Sequence, residues 1–203
     1  MKQVYRKMLI SVIAILAAIS IHEFAHAWAA DYLGDPTPKL EGRLTLNPFA
    51  HLDPIGTAAL FLLGFGWGKP VPIDPYNLRQ PKRDQGLIAL SGPLSNIICA
   101  ILVGVLLKLV PVQLPAITLE LFHRFLMISL GLAFFNLIPL NPLDGSKILT
   151  GLLPFEQSEV VEDFLKVSSL PILLGLLLPI FNGNSLISLL LFPLLNLCLS
   201  LLT

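Results

Sequence analysis

Residues 8–30, MLISVIAILAAISIHEFAHAWAA, carry His22-Glu23-Phe24-Ala25-His26 inside an apolar run long enough to cross a bilayer as a helix. Residues four apart share one helix face, so the two imidazoles project together and can hold a single Zn2+. The glutamate beside them can take the proton of an attacking water. Ionisable side chains within a hydrophobic span are expensive and normally mark function. The stretch therefore predicts a helical membrane protein with metal chemistry at membrane depth.

Composition agrees. Hydrophobic residues make up 55% of the 203 and charged residues 13%, with a mean hydropathy of +0.79, where a soluble domain carries about 25% charged residues. Thirteen Lys and Arg balance thirteen Asp and Glu, so no basic surface recommends nucleic acid as a partner. Cys99 and Cys198 both lie in apolar runs and read as small buried hydrophobes, not as a disulfide or a metal motif. Lys2, Arg6 and Lys7 ahead of the first apolar run resemble a signal peptide, but the run carries the histidines, so it is expected to stay.

Further apolar runs cover residues 86–110, 119–140, 167–181 and 185–202. Residues 54–67 are apolar too, but short and broken by Gly56, Gly64 and Gly66, which suits a re-entrant excursion. Lys39-Leu40-Glu41-Gly42-Arg43-Leu44-Thr45-Leu46 alternates polar and apolar residues at period two and predicts a short β-hairpin. The proline-rich residues 69–85 form a connection. The expectation is an all-α polytopic membrane protein: five transmembrane helices, a re-entrant segment and one hairpin, in a single domain over residues 1–203.

A catalytic zinc site takes three protein ligands and leaves one position open. Phe135-Asn136-Leu137-Ile138-Pro139-Leu140-Asn141-Pro142-Leu143-Asp144-Gly145 ends an apolar run with two prolines that forbid regular helix, then presents a carboxylate. Unwound backbone at membrane depth is tolerated only where it is buried or lines a cavity, so Asp144 is read as the third ligand. The competing reading is a plain Asp-Gly turn at the membrane surface.

The HEFAHA of residues 22–27, Gly92-Pro93-Leu94-Ser95-Asn96 and the NLIPLNPLDG of residues 136–145, in this order, resemble the site-2 protease family of intramembrane zinc metalloproteases. The resemblance covers residues 8–150, leaving residues 167–202 as accessory helices, and one subgroup is similar over Gly42-Arg43-Leu44-Thr45-Leu46-Asn47-Pro48 and on to Pro54. It implies His22, His26 and Asp144 as ligands of one Zn2+ per chain and Glu23 as catalytic base. The implied activity is hydrolysis of peptide bonds in or near transmembrane segments, in regulated intramembrane proteolysis. Its partners would be transmembrane protein substrates and the lipid bilayer. Asn141 stands where many relatives have proline, and the chain is expected to be a minimal form without a PDZ or CBS domain.

Depth and charge orient the site. The ligands reach one level only if the first helix and the one ending near Pro139 run parallel, with a single crossing between them. Residues 54–67 then do not cross. That arrangement puts Lys39, Arg43, Lys69, Arg79, Lys82, Arg83, Lys147 and Lys166 on the catalytic side against Lys2, Arg6, Lys7 and Lys108 on the other. The excess favours a cytoplasmic active site in the cell membrane.

Asn136 and Asn96 are candidates to bind an unwound substrate strand, or else helix-packing hydrogen bonds. His51 is an auxiliary or gating residue, or a loop histidine bonded to backbone. His123, with Glu120 and Arg124, decorates a helix start and receives no role. The alternative function is a non-catalytic protein that keeps the zinc-site fold to hold membrane clients. A di-iron oxygenase would need more than the four histidines present, and no GxSG marks a serine protease.

Overall fold

The computed structural model describes residues 2–63, 67–109, 114–179 and 183–202. The chain is helical: α1 (Lys2–Leu33), α2 (Thr37–Leu40), α3 (Pro54–Leu63), α4 (Pro81–Leu109), α5 (Ala116–Asn136), α6 (Asp144–Leu152), α7 (Phe155–Leu177) and α8 (Leu186–Leu202). Three of these, α1, α4 and α5, are long and apolar enough to cross a membrane. They pack on one another, with α6 against the start of α4.

Small side chains at helical spacing let these helices approach. Along α1, Ala14, Ala18, His22, His26 and Ala30 fall four apart and are all buried; along α4, Gly92, Asn96, Ala100 and Gly104 do the same. Such stripes are how helices gain contact in lipid, where apolar side chains have no preference for protein over membrane. The direction of each helix follows from its contacts. Arg6 pairs with Glu120 near the starts of α1 and α5 at 3.4 Å, and His22 meets Asp144 just past the end of α5, so these two run parallel. Helix α4 runs against them, Ile88 meeting His26 and Asn96 meeting His22 and Ala18.

Among the described residues three helices meet the length and composition of a span, where five are expected. Helix α7 has the length, but Glu156, Glu159, Glu162, Asp163 and Lys166 fill its first half, and α8 is only 17 residues long. Both still pack on the core: Leu165 and Leu173 of α7 join Leu140 and Leu143, and Leu195 of α8 joins Ala100, Leu126 and Leu130. The end of the fourth apolar run, at residues 180 and 181, lies outside the described residues.

The expected hairpin at Lys39–Leu46 does not form. Pro36 and Pro38 start the short helix α2 instead, and Gly42 follows in a left-handed conformation (φ 68°) that reverses the chain. Arg43 then turns inward to carbonyls 26 and 27 residues away. A period-two pattern carries no information about such distant partners, and here they override it. Among the described residues the strand-like pairing is a single antiparallel bridge, Leu52 to Gly68, with Lys69 N donating to His51 O at 2.8 Å. It brings the two ends of the 54–67 excursion together. Of its three glycines, Gly64 and Gly66 lie outside the described residues. Gly56 packs so close to Trp67 that a Cβ would fall 2.2 Å from the Trp67 carbonyl oxygen.

Asp35, fully buried after α1, ties this side of the molecule together. Its carboxylate accepts from Thr37 N (3.0 Å), Thr37 Oγ1 (2.6 Å), Asp74 N (2.8 Å) and Asn77 Nδ2 (3.0 Å). Burial pushes its pKa up, but these four donors outweigh burial and hold it below the usual carboxylate range.

Candidate metal centre

His22 and His26 sit one turn apart on the buried stripe of α1, ring centroids 4.6 Å apart and planes nearly perpendicular. Each Nδ1 is taken by an oxygen from α4: His22 Nδ1 lies 2.7 Å from Asn96 Oδ1, and His26 Nδ1 lies 2.7 Å from the Ile88 carbonyl. A carbonyl oxygen can only accept, and Asn96 Nδ2 is already donating to Ala18 O at 3.0 Å. Both rings are thus held with the proton on Nδ1 and a lone pair on Nε2.

Those two lone pairs face Asp144. The first residue of α6, it follows the stretch where Pro139 and Pro142 interrupt the helical path after α5, and Asp144 Oδ2 lies 3.0 Å from His22 Nε2 and 3.4 Å from His26 Nε2. The three donor atoms all fall within 4.8 Å of one another. Ligand atoms around one tetrahedral Zn2+ at ~2.0–2.2 Å stand roughly 3.3–3.5 Å apart, so this set is pre-arranged for the ion. Two neutral imidazole nitrogens and a carboxylate are a donor set zinc accepts, and a bond from each Nδ1 to a carbonyl is the usual outer support of zinc histidines. The residues present fit the metal.

Two glycines make the room. A Cβ on Gly92 would lie 2.4 Å from His26 Cε1 and Nε2 and 2.7 Å from His22 Nε2, so α4 can press against the imidazoles only without a side chain there. A Cβ on Gly145 would fall 2.3 Å from Ile138 O and 2.4 Å from Leu137 O. That contact seats the start of α6 against the turn after α5. Glu23 is half-buried, its carboxylate without a hydrogen bond among the described residues, and its Oε1 lies 3.8 Å from where a Cβ of Gly68 would be.

The other candidate residues fall elsewhere. Asn96 is fully buried, with both ends of its amide used inside the protein. Asn136, half-buried at the end of α5, donates from Nδ2 to Leu132 O of its own helix at 3.0 Å. His51 is fully buried, but its Nε2 faces Thr45 O at 2.8 Å and its Nδ1 lies 3.5 Å from an Arg43 nitrogen, so neither ring nitrogen points at the ligand group. His123 Nδ1 contacts Leu119 O on an exposed face. Sequence reasoning did not anticipate the Ile88 carbonyl or the link from Asn96 to His22. The signal for the second was present: Asn96 follows Gly92 by four residues and so shares its helix face. A groove of about 720 Å3 that includes Tyr76, Lys82 and Phe155 in its lining contains none of these residues.

The model of "Peptidase family M50" matches residues 112–179, a stretch that contains Asp144. Two bacterial proteins named "Putative zinc metalloprotease" are similar over longer stretches. YwhC of Bacillus subtilis (strain 168) is 40% identical over 150 residues, covering 70% of this chain and 68% of that protein. Rip2 of Mycobacterium tuberculosis (strain ATCC 25618 / H37Rv) is 27% identical over 174 residues, covering 83% of this chain and 66% of that protein. "Stage IV sporulation protein FB" of Bacillus subtilis (strain 168) is 28% identical over 155 residues, and the chain spans about half of it. No solved structure matches. With a relative 40% identical across two thirds of its length, the chain belongs to peptidase family M50, the site-2 protease family of zinc metalloproteases.

Proposed function

We propose that the protein is an intramembrane endopeptidase that hydrolyses peptide bonds in or near the transmembrane segments of other membrane proteins, with its active site toward the cytoplasm. The observation that carries this reading is the convergence of His22 Nε2, His26 Nε2 and Asp144 Oδ2 inside a packed set of helices whose outward faces are apolar. His22, His26 and Asp144 hold the zinc, which when bound polarises the scissile carbonyl and makes water nucleophilic near neutral pH. Glu23, adjacent to His22 and outside the donor set, accepts a proton from the attacking water and returns it to the leaving amine as the C–N bond breaks. Asn96 and the Ile88 carbonyl hold the imidazoles in the tautomer that leaves Nε2 free. Asn136, at the helix end nearest Asp144, is assigned to the exposed backbone of an unwound substrate.

Residues 1–203 form one membrane domain. The 54–67 excursion is re-entrant: α3 has 10 residues, or roughly 15 Å, half the depth of the hydrocarbon, and the Leu52–Gly68 bridge returns the chain to where it left. Helices α7 and α8 supply the fourth and fifth spans around the three-helix core. The excess of Lys and Arg on the side of Asp144 sets the site toward the cytoplasm of the cell membrane.

The deciding experiment is Glu23→Gln, assayed in detergent on a membrane-spanning substrate with a Gly or Pro in its cytoplasmic third. The variant should keep one zinc per chain and lose cleavage by about 10²–10⁴-fold, since an amide cannot take the water's proton. Comparable cleavage by the variant would refute the mechanism. Tight substrate binding with no cleavage by either form would favour a client-holding protein.

A further inference from the structure

The loop side of the molecule holds a buried cation that the chemistry above does not use. Arg43 is 3% exposed, yet no carboxylate meets it among the described residues. One terminal nitrogen, Nη1, donates to Pro70 O at 2.9 Å, the other, Nη2, donates to Lys69 O, and Nε has no partner among the described residues. Burying a guanidinium against neutral acceptors with one N–H unsatisfied is costly. What the arrangement gains is geometry: the rigid planar fork fixes two consecutive carbonyls at once, which a lysine cannot reproduce.

His51 braces the fork. A guanidinium only donates, so the ring nitrogen 3.5 Å from it, Nδ1, carries the lone pair, and Nε2 donates to Thr45 O at 2.8 Å. The same residue's carbonyl accepts from Lys69 N, and its neighbour Leu52 pairs with Gly68. Residues 43–52 and 68–70 are thereby one hydrogen-bonded unit built around two buried side chains, Arg43 and His51, and its tip lies over α1. A Cβ on Gly68 would stand 3.8 Å from Glu23 Oε1 and 3.9 Å from Ile19 Cγ2, residues one helical turn apart.

We infer that Arg43, braced by His51, is a positioning residue that clasps residues 68–70 beside Glu23 and so makes them a wall along which a substrate strand approaches that carboxylate. The inference deepens the protease reading and rests on it for the word substrate. The placement of the wall is tested separately from cleavage. In a background with Cys99 and Cys198 replaced by alanine, Ile19→Cys and Gly68→Cys are bridged with a short bis-thiosulfonate in the full-length, zinc-loaded protein. With Arg43 intact the pair should bridge readily. Arg43→Met should lower the yield roughly tenfold, the low end of what losing a supporting contact costs at a metal site, and Arg43→Lys should recover part of it, with zinc unchanged at one per chain. Without the added cysteines, Arg43→Met should raise the substrate KM roughly tenfold and change kcat less than twofold, because Glu23 and the ligands stay in place. If Arg43→Met does not fold, His51→Phe, which removes the brace, should show the same drop in bridging. Undiminished bridging in a folded, zinc-loaded Arg43 or His51 variant overturns the inference whether or not any form cleaves. Failure of the wild type to cleave, with bridging still dependent on Arg43, would count against the protease reading alone.

Discussion

The molecule buries histidines in two places, and the difference between them lies in which ring nitrogen is left over. At His22 and His26 the protein occupies Nδ1 with a carbonyl oxygen and leaves Nε2 to meet Asp144. At His51 it occupies both, Nε2 with Thr45 O and Nδ1 beside Arg43, although His51 is as buried as the other two and its carbonyl lies 3.1 Å from the same Gly68 position that approaches Glu23. Burial and nearness therefore do not bring a histidine into the donor group; an uncommitted lone pair does. The first contrast to break is thus one of metal content. Asp144→Ala should reduce zinc from one per chain to a small residue in purified protein, while His51→Phe should keep the full amount. Zinc lost in His51→Phe and retained in Asp144→Ala would reverse the assignment.

Next in size is Gly92, which separates the two regions sterically. Among the described residues no glycine is pressed against the ring nitrogens of His51 in this way, whereas a single methyl at position 92 would enter the space of both imidazoles that face Asp144. Gly92→Ala should cut cleavage by about 10²-fold through displacement of the rings by an ångström or less, with the helical content by circular dichroism unchanged. Full activity would mean that α4 can withdraw from α1, and that the approach seen here is not the working one.

Asn96 offers a graded test. Asn96→Leu keeps the volume and removes the acceptor that holds His22 Nδ1, so competition against a zinc chelator should show affinity lower by about 10–100-fold. Asn136→Leu, which breaks only a bond back to its own helix, should leave affinity where it was. Equal losses from both would indicate a general loosening of the core and no specific support for the ring.

The two regions also differ in how far the sequence discloses them. The coming together of His22, His26 and Asp144 is legible because its signals are local or composed of rare combinations: two histidines four apart in an apolar helix, and a carboxylate after a proline-broken helix end. The loop side is not. Lys39–Leu46 has the alternation of a hairpin, but what decides its course is Arg43 reaching Lys69 and Pro70, a contact that no pattern within eight residues encodes. The count of spans is less legible for a related reason. Hydropathy sees 167–181 as an apolar run, while the helix that holds residues 167–177 begins at Phe155 and spends its first half on charged residues, with Glu162 reaching Lys82 and Lys147 of α4 and α6.

The smallest effect compares carboxylates in the same terms as the histidines. Asp144 Oδ2 faces two ring nitrogens, whereas Asp35 is saturated by four protein donors, which makes it, like His51, structural. Asp35→Asn would set an amide N–H against donors already aimed at that oxygen, and should cost on the order of 1–3 kcal/mol at pH 7 without altering zinc content. Because the folded-state pKa of Asp35 lies below the unfolded value, near 3.9 in an unfolded chain, the stabilisation is complete above that value. It is lost as pH falls through the folded one. Melting temperatures in detergent should therefore show a wild-type advantage over Asp35→Asn that is constant from pH 7 to about pH 5 and shrinks as the medium is acidified below about pH 4. An advantage that stayed constant down to pH 3 would mean that the bonds are made to the carboxyl whatever its charge, and that Asp35 is held by shape and not by its ionised form.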